Sequence, residues 1–234
     1  MARILILGAA ETPTGETPVW IAEHGGEMVI EHLANRCARL NAQLIFAMQK
    51  SDVRRHHLDS IARLTAPDCA VVEIEGATQG AACTALLCID HIDPDGELIV
   101  MNANEMIDAD LSRIAGGFRD QGLDAGVTTF ASLHPRYSYV RLDDAGRVVQ
   151  AAEKHPISRS AIAGFFWFRK GADFIEAAMD MIRKDAKADD HFFISLTLNE
   201  LILKQKTIGV FPIPAADYQP LKSSRQVSLY ETEA

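Results

Sequence analysis

Short apolar runs alternate with stretches of helical periodicity through the first half of the chain. Ile4–Leu7 is apolar throughout and reads as a strand buried on both faces, while Met28–Leu40 carries apolar residues at helical spacing. Strands are predicted over Gln43–Met48, Ala70–Ile74 and Leu98–Met101, with helices over His56–Leu64 and Gly80–Ile89 between them. This β-α-β-α order predicts a mainly parallel sheet with helices on both faces. Right-handed crossovers then place ligands at the C-terminal ends of the strands.

Past residue 115 the pattern changes. Gly126–Ala131 reads as a strand, and Tyr137–Leu142 and Val148–Ala152 flank the turn signal Asp143-Asp-Ala-Gly146, which predicts an inserted β-hairpin. Ile162–Phe168 is aromatic-rich and strand-like. Gly171–Lys184 is predicted as a helix with Phe174, Ala177, Ala178 and Met181 on one face. A helix over Phe192–Leu203, a strand over Thr207–Ile213 and a polar tail from Lys222 complete the chain. No repeat or linker interrupts it, so residues 1–234 read as a single α/β domain with halves over 1–115 and 116–220 and a tail over 221–234.

Composition narrows the partners. The 234 residues are 48% hydrophobic and 24% charged, with a net charge of −9 and a pI near 5.3. That balance disfavours broad attraction to nucleic acid or an anionic membrane. Cys37, Cys69, Cys83 and Cys88 show no zinc spacing, and buried reduced thiols are expected. No apolar run approaches the roughly 20 residues that span a bilayer, and the N-terminus lacks a signal-peptide pattern. A cytoplasmic protein is expected.

The first strand opens into Gly8-Ala-Ala-Glu-Thr-Pro-Thr-Gly-Glu-Thr-Pro-Val-Trp20, where an α/β protein usually holds a phosphate. The sign is wrong for that: Glu11 and Glu16 are present, and Ile4 through Asn35 contain no Lys or Arg.

The order of Thr78-Gln-Gly-Ala-Ala-Cys-Thr-Ala-Leu-Leu87, Leu98-Ile-Val-Met-Asn-Ala-Asn104, Ala152-Glu-Lys154 and Gly164-Phe-Phe-Trp-Phe168 resembles the sugar-phosphate nucleotidyltransferases. The span from His134 to Ile202 is similar to a branch found in bacterial capsule and lipopolysaccharide gene clusters. The resemblance covers about residues 2 to 215. It implies a Rossmann-like, GT-A-like fold, with a nucleotide-binding first half and a sugar-binding second half. It also implies a reaction of NTP with sugar 1-phosphate, giving nucleotide sugar and pyrophosphate. In that reaction a sugar phosphate oxygen attacks the α-phosphorus in line, and the protein supplies positioning and positive charge.

Carried over residue by residue, the resemblance gives a divided result. It implies nucleotide contacts at Gly8, Ala9, Gly80, Ala81 and Asn102, and sugar-phosphate contacts at Glu153, Lys154 and Gly164. Gly80 could equally serve close helix–sheet packing, Glu153-Lys154 a solvated surface pair, and Gly164 a strand irregularity. The family's reactive lysine falls on Val19, and the arginine of its glycine loop is missing between Gly8 and Pro13. Its Mg²⁺ aspartate falls on Asn104, beside which Glu105 and Asp108 offer carboxylates; Asp108 also reads as a helix cap. Mg²⁺ is the implied cofactor of an active enzyme. Carboxylates in place of Arg and Lys reverse interactions worth roughly 1–4 kcal/mol each, and losing one transition-state stabiliser costs about 10²–10³ in rate.

Other groups remain open. His24, His32, His56 and His57 cluster in sequence, with Asp52 placed to meet His56 at i, i+4. Asp189 or Asp190 reads as the cap of the following helix. Ser132 and Ser158 have no recognisable base partner. Trp20 either plugs an emptied phosphate site or meets a partner. Three expectations follow: a family relative without ordinary nucleotidyl transfer that binds a nucleotide, sugar phosphate or nucleotide sugar as a regulatory component; an active transferase or hydrolase with altered residues; or a homo-oligomeric structural protein with a vestigial pocket.

Overall fold

The computed structural model describes residues 2–13 and 15–221, so the tail expected from Lys222 lies outside the described residues. β1 (Arg3–Gly8) is followed by a small hairpin, β2 (Glu23–His24) and β3 (Glu27–Met28). Then come α1 (Val29–Cys37), β4 (Gln43–Gln49), α2 (Lys50–His56), α3 (Leu58–Thr65), β5 (Ala70–Ile74) and α4 (Ala81–Leu86). The middle of the chain forms β6 (Leu98–Asn102), β7 (Glu105–Ile107), α5 (Leu111–Asp120) and β8 (Ala125–Ala131). The last part forms β9 (Ser138–Leu142), β10 (Val148–Glu153), β11 (Ser160–Phe168), α6 (Gly171–Arg183), α7 (Ile194–Leu203), β12 (Ile208–Pro212) and β13 (Tyr218–Pro220).

One nine-stranded sheet runs through both halves, in the order β10-β9-β11-β6-β1-β4-β5, with β8 pairing β11 and β12 beside that path. β6, β1, β4 and β5 are mutually parallel, as are β8 and β12. β11 joins the halves antiparallel, pairing β6 at Phe165–Phe168 and β9 at Ser160 and Ala161. The sheet is therefore mixed and mainly parallel in its first half. The apolar run of β1 has the expected cause: Ile4 and Ile6 enter one core, Leu5 and Leu7 the core on the opposite face.

Four local expectations need correction. The helix expected over His56–Leu64 is two helices, α2 and α3, broken at His57, whose φ of 52° is left-handed. The helix expected to reach Ile89 ends at Leu86, so Cys83 and Cys88 do not share it, and Cys69 and Cys83 are only half-buried. The helix that Asp108 was expected to cap is α5, but its cap is Asp110, which accepts the Ser112 and Arg113 N–H groups, while Asp108 lies 3.1 Å from Arg36. Asp189 and Asp190 do not cap α7, which starts behind Phe193; both take positive φ, 45° and 60°. β7 and β13 pair antiparallel and carry the chain end back across the C-terminal end of β6, where Leu221 N–H donates to the Asn104 carbonyl at 2.7 Å.

Candidate functional site

The loop after β1 is fastened from below. The Trp20 indole N–H donates to the Gly8 carbonyl at 3.0 Å, and Gln49 Nε2 donates to the carbonyls of Ala9 (3.2 Å) and Gly76 (2.8 Å). The Thr12 hydroxyl donates to Asp52 Oδ2 at 2.7 Å, and Asp52 is buried. Trp20 is 1% exposed and meets Phe46 edge-on at 5.6 Å. A Cβ on Gly8 would overlap the Trp20 ring, so glycine there is a packing requirement. Both readings of Trp20 are thereby corrected: it is a core residue under the loop, neither a plug above it nor a surface for a partner. Asp52 likewise faces Thr12.

Above the loop a cavity of about 520 Å³ remains open. Gly8, Ala9, Val19, Gly80, Ala81, Asn102 and Asn104 all line it, so the structure brings the first-half candidates to one place. Glu11, Glu16 and Glu23 line it too, and among its described lining residues there is no Lys or Arg. Glu23, Thr84, His191 and Leu221 were missed. Glu23 belongs to the short hairpin, and Leu221 arrives only through the pairing of β13 with β7. Gly80 has φ 119°, and a Cβ there would lie 2.6 Å from the Phe192 carbonyl oxygen. The Ala82 N–H donates to that same oxygen at 3.0 Å. Close packing against the Phe192 backbone therefore fixes Gly80, whatever the cavity binds.

Glu105 and the second-half candidates Glu153, Lys154 and Gly164 do not line this cavity. Glu105 is held by two donors, Asn102 Nδ2 and the Tyr218 hydroxyl, each at 2.7 Å. Its carboxylate rests on Gly164, where a Cβ would overlap it; Gly164 has φ 70° and sits where the β11–β8 register shifts. Burial pushes the Glu105 carboxyl above its ordinary range, opposed by those two hydrogen bonds and assisted by Glu153. Glu153 is no solvated surface group: it accepts from the Ser138 hydroxyl and from Ser195 Oγ at 2.7 Å, and burial raises its carboxyl as well. Lys154, with φ 52°, pairs with Asp189 at 3.0 Å.

These residues do not fit Mg²⁺ at the position the resemblance implies. Asn104 offers a neutral carbonyl, and both oxygens of Glu105 already accept hydrogen bonds. Among the described residues no group of three or more His, Cys, Asp or Glu side chains could hold a metal ion. His24 and His32 meet edge-on at 5.0 Å, His32 Nδ1 lies 2.9 Å from Glu27, and burial lowers the His24 pKa. Ser158 donates to the Val140 carbonyl at 2.6 Å, a structural role. Among the described residues no helix is long and apolar enough to cross a membrane.

Comparison with known proteins agrees with this architecture. The model of the nucleotidyl transferase family matches residues 19–207. A nucleoside-diphosphate-sugar pyrophosphorylase from Vibrio cholerae RC9 superposes with a TM-score of 0.79 at 19% identity, covering 98% of this chain and 99% of that one. A protein assigned as a glucose-1-phosphate thymidylyltransferase from Bacillus anthracis gives 0.75 at 15% identity, covering 100% and 95%. A UDP-glucose pyrophosphorylase solved with UDP-glucose gives 0.71 at 14%, covering both chains fully (100% and 100%). At these identities the likeness is one of fold. No curated protein matches the chain by sequence.

Proposed function

The chain belongs to the nucleotidyl transferase family, and from that premise we propose that it is a binding or regulatory component of nucleotide-sugar and surface-polysaccharide metabolism. It holds a nucleoside-bearing ligand in the cavity above β1 and does not carry out ordinary nucleotidyl transfer. One observation carries this reading: the cavity at the end of β1 is lined by carboxylates. Glu11, Glu16 and Glu23 line the walls with no Lys or Arg among the described lining residues, and Val19 falls where the resemblance implies a lysine. Phosphoryl chemistry depends on positive charge placed on the reacting phosphates, and a carboxylate in that place opposes both binding and turnover.

Two features outside the cavity support the same reading. Glu105 lies against Gly164, on the ground that the resemblance gives to the sugar. The Lys154 ammonium is engaged by Asp189. The full chain, incubated with each NTP, common sugar 1-phosphates and Mg²⁺, is expected to release pyrophosphate no faster than a heat-inactivated control. Robust turnover with any pair would overturn the reading.

A further inference from the structure

The cavity is lined by two chemically different sets of residues. Ala77, Gly80 and Ala81 give the lining small, uncharged positions, beside the Thr78 and Thr84 hydroxyls, which are 2.7 Å apart. Glu11, Glu16 and Glu23 add three carboxylates to the lining. Among the described lining residues only His191 can carry positive charge, and it stands on the other side of Gly80 from the acidic loop in sequence, ahead of α7. A further carboxylate, Asp52, is buried behind the loop. At about 520 Å³ the space has the volume of a small-molecule site.

An anionic ligand entering this space meets three carboxylates and, among the described lining residues, no Lys or Arg. Discrimination of this kind works through the repulsive element as much as through the attractive one. We propose that the cavity selects an unphosphorylated, amine-bearing ligand of nucleoside size. Its uncharged flat portion lies against Gly80 and Ala81, and its ammonium group lies among Glu11, Glu16 and Glu23. This rests on the binding reading above and names the class of ligand for the same site.

The test uses matched sets of nucleosides in which only the 5′ substituent changes: hydroxyl, ammonium, monophosphate and triphosphate. Sets built on adenosine, cytidine, uridine and thymidine are titrated into the full chain by calorimetry, with EDTA and low salt. Within the set that binds, the 5′-amino compound should bind at least tenfold more tightly than the triphosphate. That ratio should shrink toward one at about 0.5 M NaCl, where screening shortens the reach of the carboxylates. The triple variant Glu11→Gln/Glu16→Gln/Glu23→Gln should lower the ratio at least tenfold with its melting temperature unchanged, because Glu11 and Glu23 are exposed and Glu16 is half-buried. A triphosphate that binds as tightly as the amine, or a ratio unmoved in the triple variant, overturns the inference and leaves the binding reading standing. Failure of every compound to bind overturns both.

Discussion

The seating of the loop on Trp20 gives the sharpest structural test. Trp20→Phe removes the indole N–H that the Gly8 carbonyl accepts, together with the ring atoms Cε2 and Cζ2 beneath Gly8. Losing a part-buried hydrogen bond costs about 0.5–1.5 kcal/mol, and the unfilled space adds on the order of 1 kcal/mol. Gly8→Ala acts from the other side, driving a Cβ into the same ring and to 2.9 Å from the Ala103 Cβ. Overpacking of that kind costs about 1–3 kcal/mol. The two changes should not add, because the smaller Phe ring vacates part of the space that the new Cβ needs. The double variant should therefore be at least about 1 kcal/mol more stable than the sum of the single losses, the size of coupling expected for residues in contact. Urea unfolding followed by far-ultraviolet circular dichroism measures all four corners of the cycle. Additivity within about 0.5 kcal/mol would refute the direct contact and with it the account of the loop.

Two further outcomes test the second half of the site and its junction with the first. Burial raises the Glu105 carboxyl, so its contribution to stability is present below the ordinary carboxylate range and is lost as pH rises through the folded value. Gln can still accept from Asn102 and donate to the Tyr218 oxygen. The melting temperature of the wild type minus that of Glu105→Gln should therefore fall between pH 4 and pH 8, and a flat or rising difference would refute the burial. Gly80→Ala places a Cβ against the Phe192 backbone at a φ of 119°, and should lower stability by about 1–3 kcal/mol in urea unfolding. A loss below about 0.5 kcal/mol would show that this junction yields easily.

Sequence patterning was most informative where one residue period dominates. Ala70–Ile74 is a strand over the residues expected, and the run Ile4–Leu7 lies within β1 because both faces of the sheet are covered. It failed where the backbone departs from its period at a single residue. His57 breaks a helix through a left-handed φ that an apolar pattern does not register, and Leu58 continues the apolar rhythm across the break. β7 and β13 have three residues each, too few for alternation to show, yet their pairing brings Tyr218 to Glu105 and Leu221 to the cavity. The acidity of the loop was legible from composition alone. The burial of Trp20 was not, since a Trp beside Pro18 and Val19 fits a surface loop as well as a core.

The three fastenings of the loop bear on what the cavity can bind. A loop that awaits a phosphate is normally completed by it, since the anion satisfies backbone N–H groups and opposes nearby cations. Here the Gly8 and Ala9 carbonyls and the Thr12 hydroxyl are engaged by Trp20, Gln49 and Asp52, and none of those three residues lines the cavity. The loop's shape thus has internal support, while Glu11 and Glu16 remain on the cavity side. An anion in the cavity would have to overcome their field without the return of organising the loop. An uncharged or cationic ligand would find the walls already built, and so would lose little affinity to ordering them. Preorganisation and charge therefore favour the same occupant, and both disfavour a triphosphate.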